Sequence, residues 1–206
     1  MNEHTFASAI TESYRIHKRK PADYYPTPPD VTHALMRHLN LPRSTVIWEP
    51  ACGDGSMSKV LEQYVDSVTS TDLRRDSGYG REETDFLNPD VSFECDWIIT
   101  NPPFSHAAEF IEKSLQITPN VAMLLKATFW HARKRLSLFQ QTLPSAILPL
   151  TWRPSFLEKE RGSSPLMDVM WVVWSQDVAS IGYCPLPRPA RMGEETPTPT
   201  LDDLVS

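Results

Sequence analysis

Four consecutive residues, Asn101-Pro102-Pro103-Phe104, directly follow an apolar run, Asp96-Trp97-Ile98-Ile99-Thr100. A strand that runs into two prolines stops there, because proline cannot extend the ladder of a central strand. Asn101 carries a carbonyl acceptor on its side chain. Pro102 adds a backbone carbonyl and no competing N–H, and the paired prolines fix the dihedrals that aim both. Such a turn suits an amine whose lone pair is delocalised into a ring. Accepting its two N–H hydrogens holds the nitrogen pyramidal and localises the lone pair for attack on an electrophilic carbon. Phe104 offers a ring face on which an extruded base stacks. The plain alternative is a turn-favouring Asn in a proline-stiffened loop.

A second set of residues stands 52 positions upstream. Val46-Ile47-Trp48 ends in a carboxylate, Glu49, and continues as Pro50-Ala51-Cys52-Gly53-Asp54-Gly55. Gly53 and Gly55 let the backbone turn sharply and lie close to a ligand. Asp72, 23 residues after Glu49, closes the next apolar run, at the spacing that separates a Gly turn from an acid holding a ribose hydroxyl pair. The turn is not a phosphate loop: position 58 is Ser58, so Gly-x-Gly-x-x-Gly is incomplete, and no Gly-Lys-Ser/Thr follows. An acid immediately before the turn repels a pyrophosphate. It suits a ligand that carries an ammonium and a sulfonium, as S-adenosylmethionine does. A methyl group then passes in line from sulfur to nitrogen from a starting distance of about 3–3.5 Å, with no metal and no covalent intermediate. An ordinary strand-to-helix turn is the alternative for Glu49 to Gly55.

The elements that must position these groups alternate. Val31, Ala34, Leu35 and Leu39 fall on one face of a helix over 31–39, with Pro28 or Pro29 at its start. Strands are expected at 46–49, 67–71, 96–100, 121–125, 146–150 and 169–174. Helices are expected from Ser56, over 105–117 and over the basic stretch 129–141. Strands alternating with helices predict an α/β domain with a mainly parallel sheet and helices on both faces. The last two strands, joined without a helix, predict an antiparallel hairpin at its edge. Trp171 and Trp174, embedded in that final strand, are core. Residues 1–22, with the basic run Lys18-Arg19-Lys20, form a flexible arm, 23–184 the domain, and 185–206 a disordered, Pro-rich acidic tail.

The 206 residues suffice for one α/β domain but not two. Hydrophobic residues at 40% and charged residues at 22% exclude wholesale disorder. Apolar runs are strand-sized, so no membrane span is expected, and the amino terminus lacks the pattern of a secretory signal. Cys52, Cys95 and Cys184 have no metal-ligand spacing, which implies a reducing cytoplasm and no metal. The net charge of −6 is unevenly placed. Glu194, Glu195, Asp202 and Asp203 lie in residues 194–206, which carry no Lys or Arg. Between residues 126 and 165, by contrast, seven basic residues face only Glu158 and Glu160. Local field rather than net charge attracts a phosphate backbone, so a nucleic-acid partner is permitted.

The chain resembles the amino-methyltransferases, most closely the small adenine-specific DNA methyltransferases often encoded by phages and prophages. Tyr24-Tyr25-Pro26-Thr27-Pro28-Pro29, the Glu49 to Gly55 turn and Asn101 to Phe104 stand in that family's order, and the likeness spans roughly residues 23 to 175. The resemblance implies a Rossmann-like class I methyltransferase fold, S-adenosylmethionine as cofactor, and transfer to the N6 amine of adenine in the cytoplasm of a bacterium or a phage-infected host. It implies that Thr27, with Tyr25 nearby, contacts the cofactor's amino-acid end, that Asp72 bonds the ribose, and that Asp85 and Phe86 border its adenine. For Asp85-Phe86 a strand start with a core aromatic remains the other reading; for Tyr25, a hydrophobic lead-in to a helix.

Members that read a defined sequence usually carry a large recognition region, for which this chain has no room. Recognition is left to Arg133, Lys134 and Arg135, to the loop with Arg153 and Arg161, and to the amino-terminal arm. Trp152 and the Phe129-Trp130 pair supply the aromatic platforms that base stacking needs. Each of those charges also reads as a solvated surface residue. The same tetrapeptide serves enzymes acting on RNA bases or on glutamine amides of proteins. A cofactor-binding module without catalysis is the non-enzyme alternative, and the intact set of Asn101, Glu49 and Asp72 argues against it.

Overall fold

The computed structural model describes residues 25–156, 167–176, 182–184 and 186–189. The amino-terminal arm, Arg161 and the chain from residue 190 onward lie outside the described residues, as does the side chain of Lys134.

The first helix, α1 (Pro29–Leu39), starts where Pro29 occupies the first turn and Asp30 meets the positive end of the helix dipole. It ends at Asn40, whose left-handed backbone (φ 47°) turns its N–H back onto the Met36 carbonyl. Val31, Ala34, Leu35 and Met36 are buried along one face. Strand β1 (Val46–Glu49), helix α2 (Ser58–Leu61), β2 (Ser67–Ser70) and β3 (Trp97–Thr100) follow. After them come α3 (Ala107–Ile117), β4 (Val121–Lys126), α4 (Leu136–Gln141), β5 (Ala146–Pro149), β6 (Val169–Trp174) and β7 (Gly182–Tyr183).

The strands form one seven-stranded sheet in the order β2-β1-β3-β4-β6-β5-β7. β2, β1, β3 and β4 are parallel, β6 is antiparallel to both β4 and β5, and β7 adds parallel to β5. The expected antiparallel hairpin is present, with β6 as its inner strand and β7 outside β5.

Alternation along the strands divides the core into two faces. Ile47, Ile99, Ala122, Leu124, Trp171 and Val173 pack with α1 and α2; Trp48, Ile98, Met123, Leu125, Val172 and Trp174 pack with α3 and Leu138 of α4. β4 is apolar on both sides because helices cover both. Trp171 also donates its indole N–H to the Val31 carbonyl at 3.0 Å, tying the start of α1 to the sheet.

Two expectations change. The stretch 129–141 is not one helix but two 3₁₀ turns, Ala127–Trp130 and Arg133–Arg135, leading into the short α4. The cause is local packing. Phe129 is buried, the Trp130 and Phe139 rings lie 4.8 Å apart, and Arg135 folds back over the Phe129 ring at 4.2 Å while donating to its carbonyl at 2.7 Å. The domain also runs past residue 184. Leu186 is buried, donates to Pro149 and bridges Leu150, while Arg188 pairs with Asp30 at 2.9 Å.

Replacing Trp171 by Phe removes a buried donor and leaves space beside α1. It is expected to lower stability by about 1–3 kcal/mol, measured by urea unfolding.

Candidate active site

β1 connects outward to β2 on one side, while β3 lies on its other side, so the connections diverge between β1 and β3. Parallel α/β sheets bind ligands beyond the carboxyl ends of their strands at such a divergence. A cavity of about 340 Å³ opens there, within the ~300–1,000 Å³ of small-molecule sites. Tyr25, Thr27, Glu49, Pro50, Ala51, Gly53, Asp72, Asp85, Phe86, Asn101 and Pro103 line it. Tyr25 and Asn101, 76 residues apart in the chain, thus share one wall.

The turn after β1 works as the glycines suggested. Gly53 and Gly55 have φ of +54° and +77°. Gly53 donates its N–H to Asp72 Oδ2 at 2.7 Å, and Asp72 Oδ1 accepts from Arg74 N at 2.8 Å. The buried Asp72 carboxylate therefore clamps the turn and still has lone pairs to offer a hydroxyl pair. Gly55 itself faces away from the cavity: a Cβ there would meet the Tyr79 ring at 2.4 Å. Its role is to let Tyr79 pack behind the turn, which differs from the expected ligand contact.

Glu49 is 2% exposed and accepts from Ser58 Oγ, which in turn bonds Ser70 Oγ at 2.7 Å. Burial pushes its carboxyl up to about 8, against the opposing hydrogen bond from Ser58 and with Asp72 nearby adding to the rise. Glu49 is withdrawn from water and has no ion-pair partner among the described residues.

Asn101 follows β3 directly. Its Nδ2 donates to the Tyr25 carbonyl at 3.3 Å and to Thr27 Oγ1 at 3.1 Å. A backbone carbonyl only accepts, so the atom facing Tyr25 is the nitrogen, and Oδ1 must point the other way. That oxygen is buried without a partner among the described residues. Pro103 accepts from His106 N at 2.9 Å, and Pro102 is buried rather than lining the cavity. One buried acceptor, Asn101 Oδ1, is thus left without a partner among the described residues on this proline-stiffened turn.

Other expected residues divide. Phe86 is at once a core aromatic and a cavity wall, edge-on to Trp48 with centroids 5.1 Å apart and tilted against Phe110 at 4.7 Å, while the exposed Asp85 uses Oδ1 to hold Leu87 N. No strand starts there. Phe104 does not line the cavity; it lies beside Tyr25, with centroids 6.1 Å apart. Arg133 is exposed, and Arg135 is committed to Phe129. Trp152 and Arg153 line a separate, shallower hollow with Met170, where Arg153 pairs with Asp168 at 2.7 Å.

Three contributors escaped the sequence. Leu73 is 64% exposed and presents an apolar surface at the cavity next to Asp72, a position signalled only by its adjacency to the acid. His106, at the end of the 3₁₀ turn that Phe104 begins, lines the cavity, and Ser58, the partner of Glu49, had no signal in the pattern.

No family model matches the chain, and no curated protein matches it in sequence. Solved structures do. A type I restriction-modification methyltransferase subunit from Streptococcus thermophilus superposes with a TM-score of 0.59 at 10% identity, over 78% of this chain and 47% of that one. A protein from Listeria monocytogenes assigned to the class I S-adenosylmethionine-dependent methyltransferases gives 0.57 at 15%, over 88% and 71%. A protein from Pyrococcus horikoshii assigned as an RNA methyltransferase gives 0.54 at 17%, over 74% and 85%. The chain spans about half the length of the type I modification subunits it matches. The fold is the Rossmann-like fold of class I methyltransferases.

The raised Glu49 carboxyl sets a sign. Its folded-state value lies above the ordinary 4.5, so the folded chain holds a proton that the unfolded chain releases, and stability is lost as pH rises from about 4.5 through about 8. Glu49→Gln is therefore expected to match the parent in Tm near pH 5 and exceed it increasingly up to pH 8. A constant difference across that range would contradict the assignment.

Proposed function

We propose that this protein transfers a methyl group from S-adenosylmethionine to the N6 amine of adenine in DNA. The observation that carries the reading is the buried Asn101 Oδ1, without a partner among the described residues, on a turn whose Asn101 and Pro103 border the cavity holding Glu49 and Asp72.

The residues fit the cofactor. Glu49, buried and without a cationic partner among the described residues, would take the positively charged amino-acid end with Tyr25 and Thr27. Gly53 lets the backbone approach, Asp72 would take the ribose hydroxyls, and Leu73 with Phe86 would sandwich the adenine, Asp85 bordering its edge. Bound there, S-adenosylmethionine supplies an electrophilic methyl on a sulfonium. Asn101 Oδ1 and the Pro102 carbonyl accept the two amine hydrogens and hold the nitrogen pyramidal, which concentrates its lone pair toward the cavity. As the nitrogen gains positive charge in forming its new bond to carbon, the two carbonyl dipoles stabilise it. The methylated nitrogen would then lose one of its protons to water, the methyl having come from the sulfonium that Glu49 and its neighbours would hold. Because both acceptors are fixed before the base arrives, no reorganisation is required during transfer.

Likeness to restriction-modification subunits supports DNA as the polymer. RNA is the second reading, favoured by the likeness to the Pyrococcus protein. A glutamine amide poses the same lone-pair problem but brings no ring for Phe104 to stack. Arg133, Lys134, Trp152, Arg153 and Arg161 remain the proposed contacts to the polymer, and Arg135 leaves that set because it is occupied internally.

Asn101→Ala is expected to lower methyl transfer at least about a hundredfold while changing cofactor affinity only a few-fold by calorimetry. Equal loss of both would remove Asn101 from its assigned role. Labelled-methyl transfer to duplex DNA, single-stranded DNA, RNA and peptide should be compared side by side. Label in DNA is the expected outcome, and label confined to peptide rejects base modification.

A further inference from the structure

The wall proposed for the cofactor's adenine is thin. Asp85, Phe86 and Leu87 line the cavity, while Leu87, Pro89 and Val91 of the same segment border a separate hollow of about 520 Å³ against α3. Residues 85–91 belong to no helix or strand. Their own hydrogen bonds are local. The Leu87 N–H reaches Asp85 Oδ1 at 2.9 Å, the Asn88 N–H reaches the Asp85 carbonyl at 3.1 Å, and the Val91 N–H reaches the Asn88 carbonyl at 3.0 Å. Turns of this kind shape a segment without fixing where it stands.

Lys113, half-buried on α3, supplies the fixing. Its Nζ donates to the Asn88 carbonyl and, at 2.9 Å, to the Val91 carbonyl. Among the described residues these are the hydrogen bonds that join 85–91 to α3. The same ammonium lies 5.3 Å from the centroid of the Phe86 ring, which leans on Phe110, three residues earlier on α3. Burial lowers the Lys113 pKa, and the charges of Asp85 and Asp90 oppose that lowering. One side chain thus meets the backbone, the ring and the carboxylate of a single wall, which three donors on a point charge allow. The helix that carries it follows the Asn101 to Phe104 turn and is anchored by the buried Phe110, Ile111 and Ser114. Acceptor turn and adenine wall are therefore referred to one element.

Resting on the S-adenosylmethionine reading of the cavity, we propose that Lys113 is a positioning residue for the cofactor, holding the Asn88 and Val91 carbonyls to α3 so that Phe86 and Leu87 stand where they grip the adenine. Lys113 does not itself line the cavity. Its loss weakens cofactor binding and leaves the transfer step intact once the cofactor is seated.

The test uses calorimetry on the parent, Lys113→Met and Lys113→Arg with two ligands. One is S-adenosylmethionine; the other is methylthioadenosine, which keeps the adenosine and lacks the amino-acid end. The kcat for methyl transfer at saturating cofactor is measured beside them. Lys113→Met is expected to weaken both ligands by the same factor, about tenfold, with kcat within about twofold of the parent. Lys113→Arg, which keeps charged donors, should bind both more tightly than Lys113→Met does. Unchanged affinity in Lys113→Met overturns the proposal, as does a fall in kcat as large as the fall in affinity. Loss that spares methylthioadenosine overturns it too, because the effect then lies at the amino-acid end. Should Lys113→Met fail to fold, Lys113→Gln carries the same comparison. A parent that binds neither ligand sinks the cofactor reading itself, before any variant is made. A parent that binds both but methylates no substrate sinks the transfer reading, and the affinities alone then decide Lys113.

Discussion

The orientation of one carboxamide governs the site. The Tyr25 carbonyl cannot donate, so it obliges Asn101 to present its nitrogen there and its oxygen elsewhere. The Thr27 hydroxyl reinforces that choice. Tyr25 and Thr27 hold their places because the chain beyond them, stiffened by Pro26, Pro28 and Pro29, runs into α1, and α1 is fixed to the sheet by the buried Trp171 indole bonded to Val31. A hydrophobic strand at the far end of the chain thereby sets the direction of an acceptor at the carboxyl end of β3. Loosening any member of that line would let the amide rotate.

Electrostatics complete the cavity in two distinct ways. Asp72 spends one lone pair on each of two backbone N–H groups, which shapes the glycine turn and keeps its carboxylate in place. Among the described residues Glu49 has the Ser58 hydroxyl as its side-chain partner, and burial raises its carboxyl to about 8. One acid is stabilised by the protein; the other is left at a cost that a bound cation would offset. That asymmetry distinguishes this turn from a pyrophosphate loop more sharply than the missing third glycine does.

Misread segments share a cause. Residues 129–141 have helical spacing and basic charge, yet the aromatic side chains there pack so closely that the backbone tightens into 3₁₀ turns and draws Arg135 inward. Phe86 was open between core and cofactor wall; a ring at the junction of sheet and cavity is both. The polar composition after residue 184 concealed Leu186, a single apolar side chain that suffices to dock the segment beside β5. For Phe86 and Leu186 the decisive contacts are with residues remote in the chain, and for 129–141 they are ring and guanidinium contacts within the stretch itself, none of which helical or polar patterning contains.

The strands, the glycine turn, the two acids and the proline-bounded tetrapeptide were legible because each follows from local rules: period, turn chemistry and the inability of proline to extend a sheet. Which way the Asn101 oxygen points, that Gly55 serves Tyr79 rather than a ligand, and that Lys113 reaches the Asn88 and Val91 carbonyls were decided only in three dimensions. Residue type limits what a side chain can donate or accept. Its direction depends on neighbours brought together by the closing of the sheet, and that information resides in the packing.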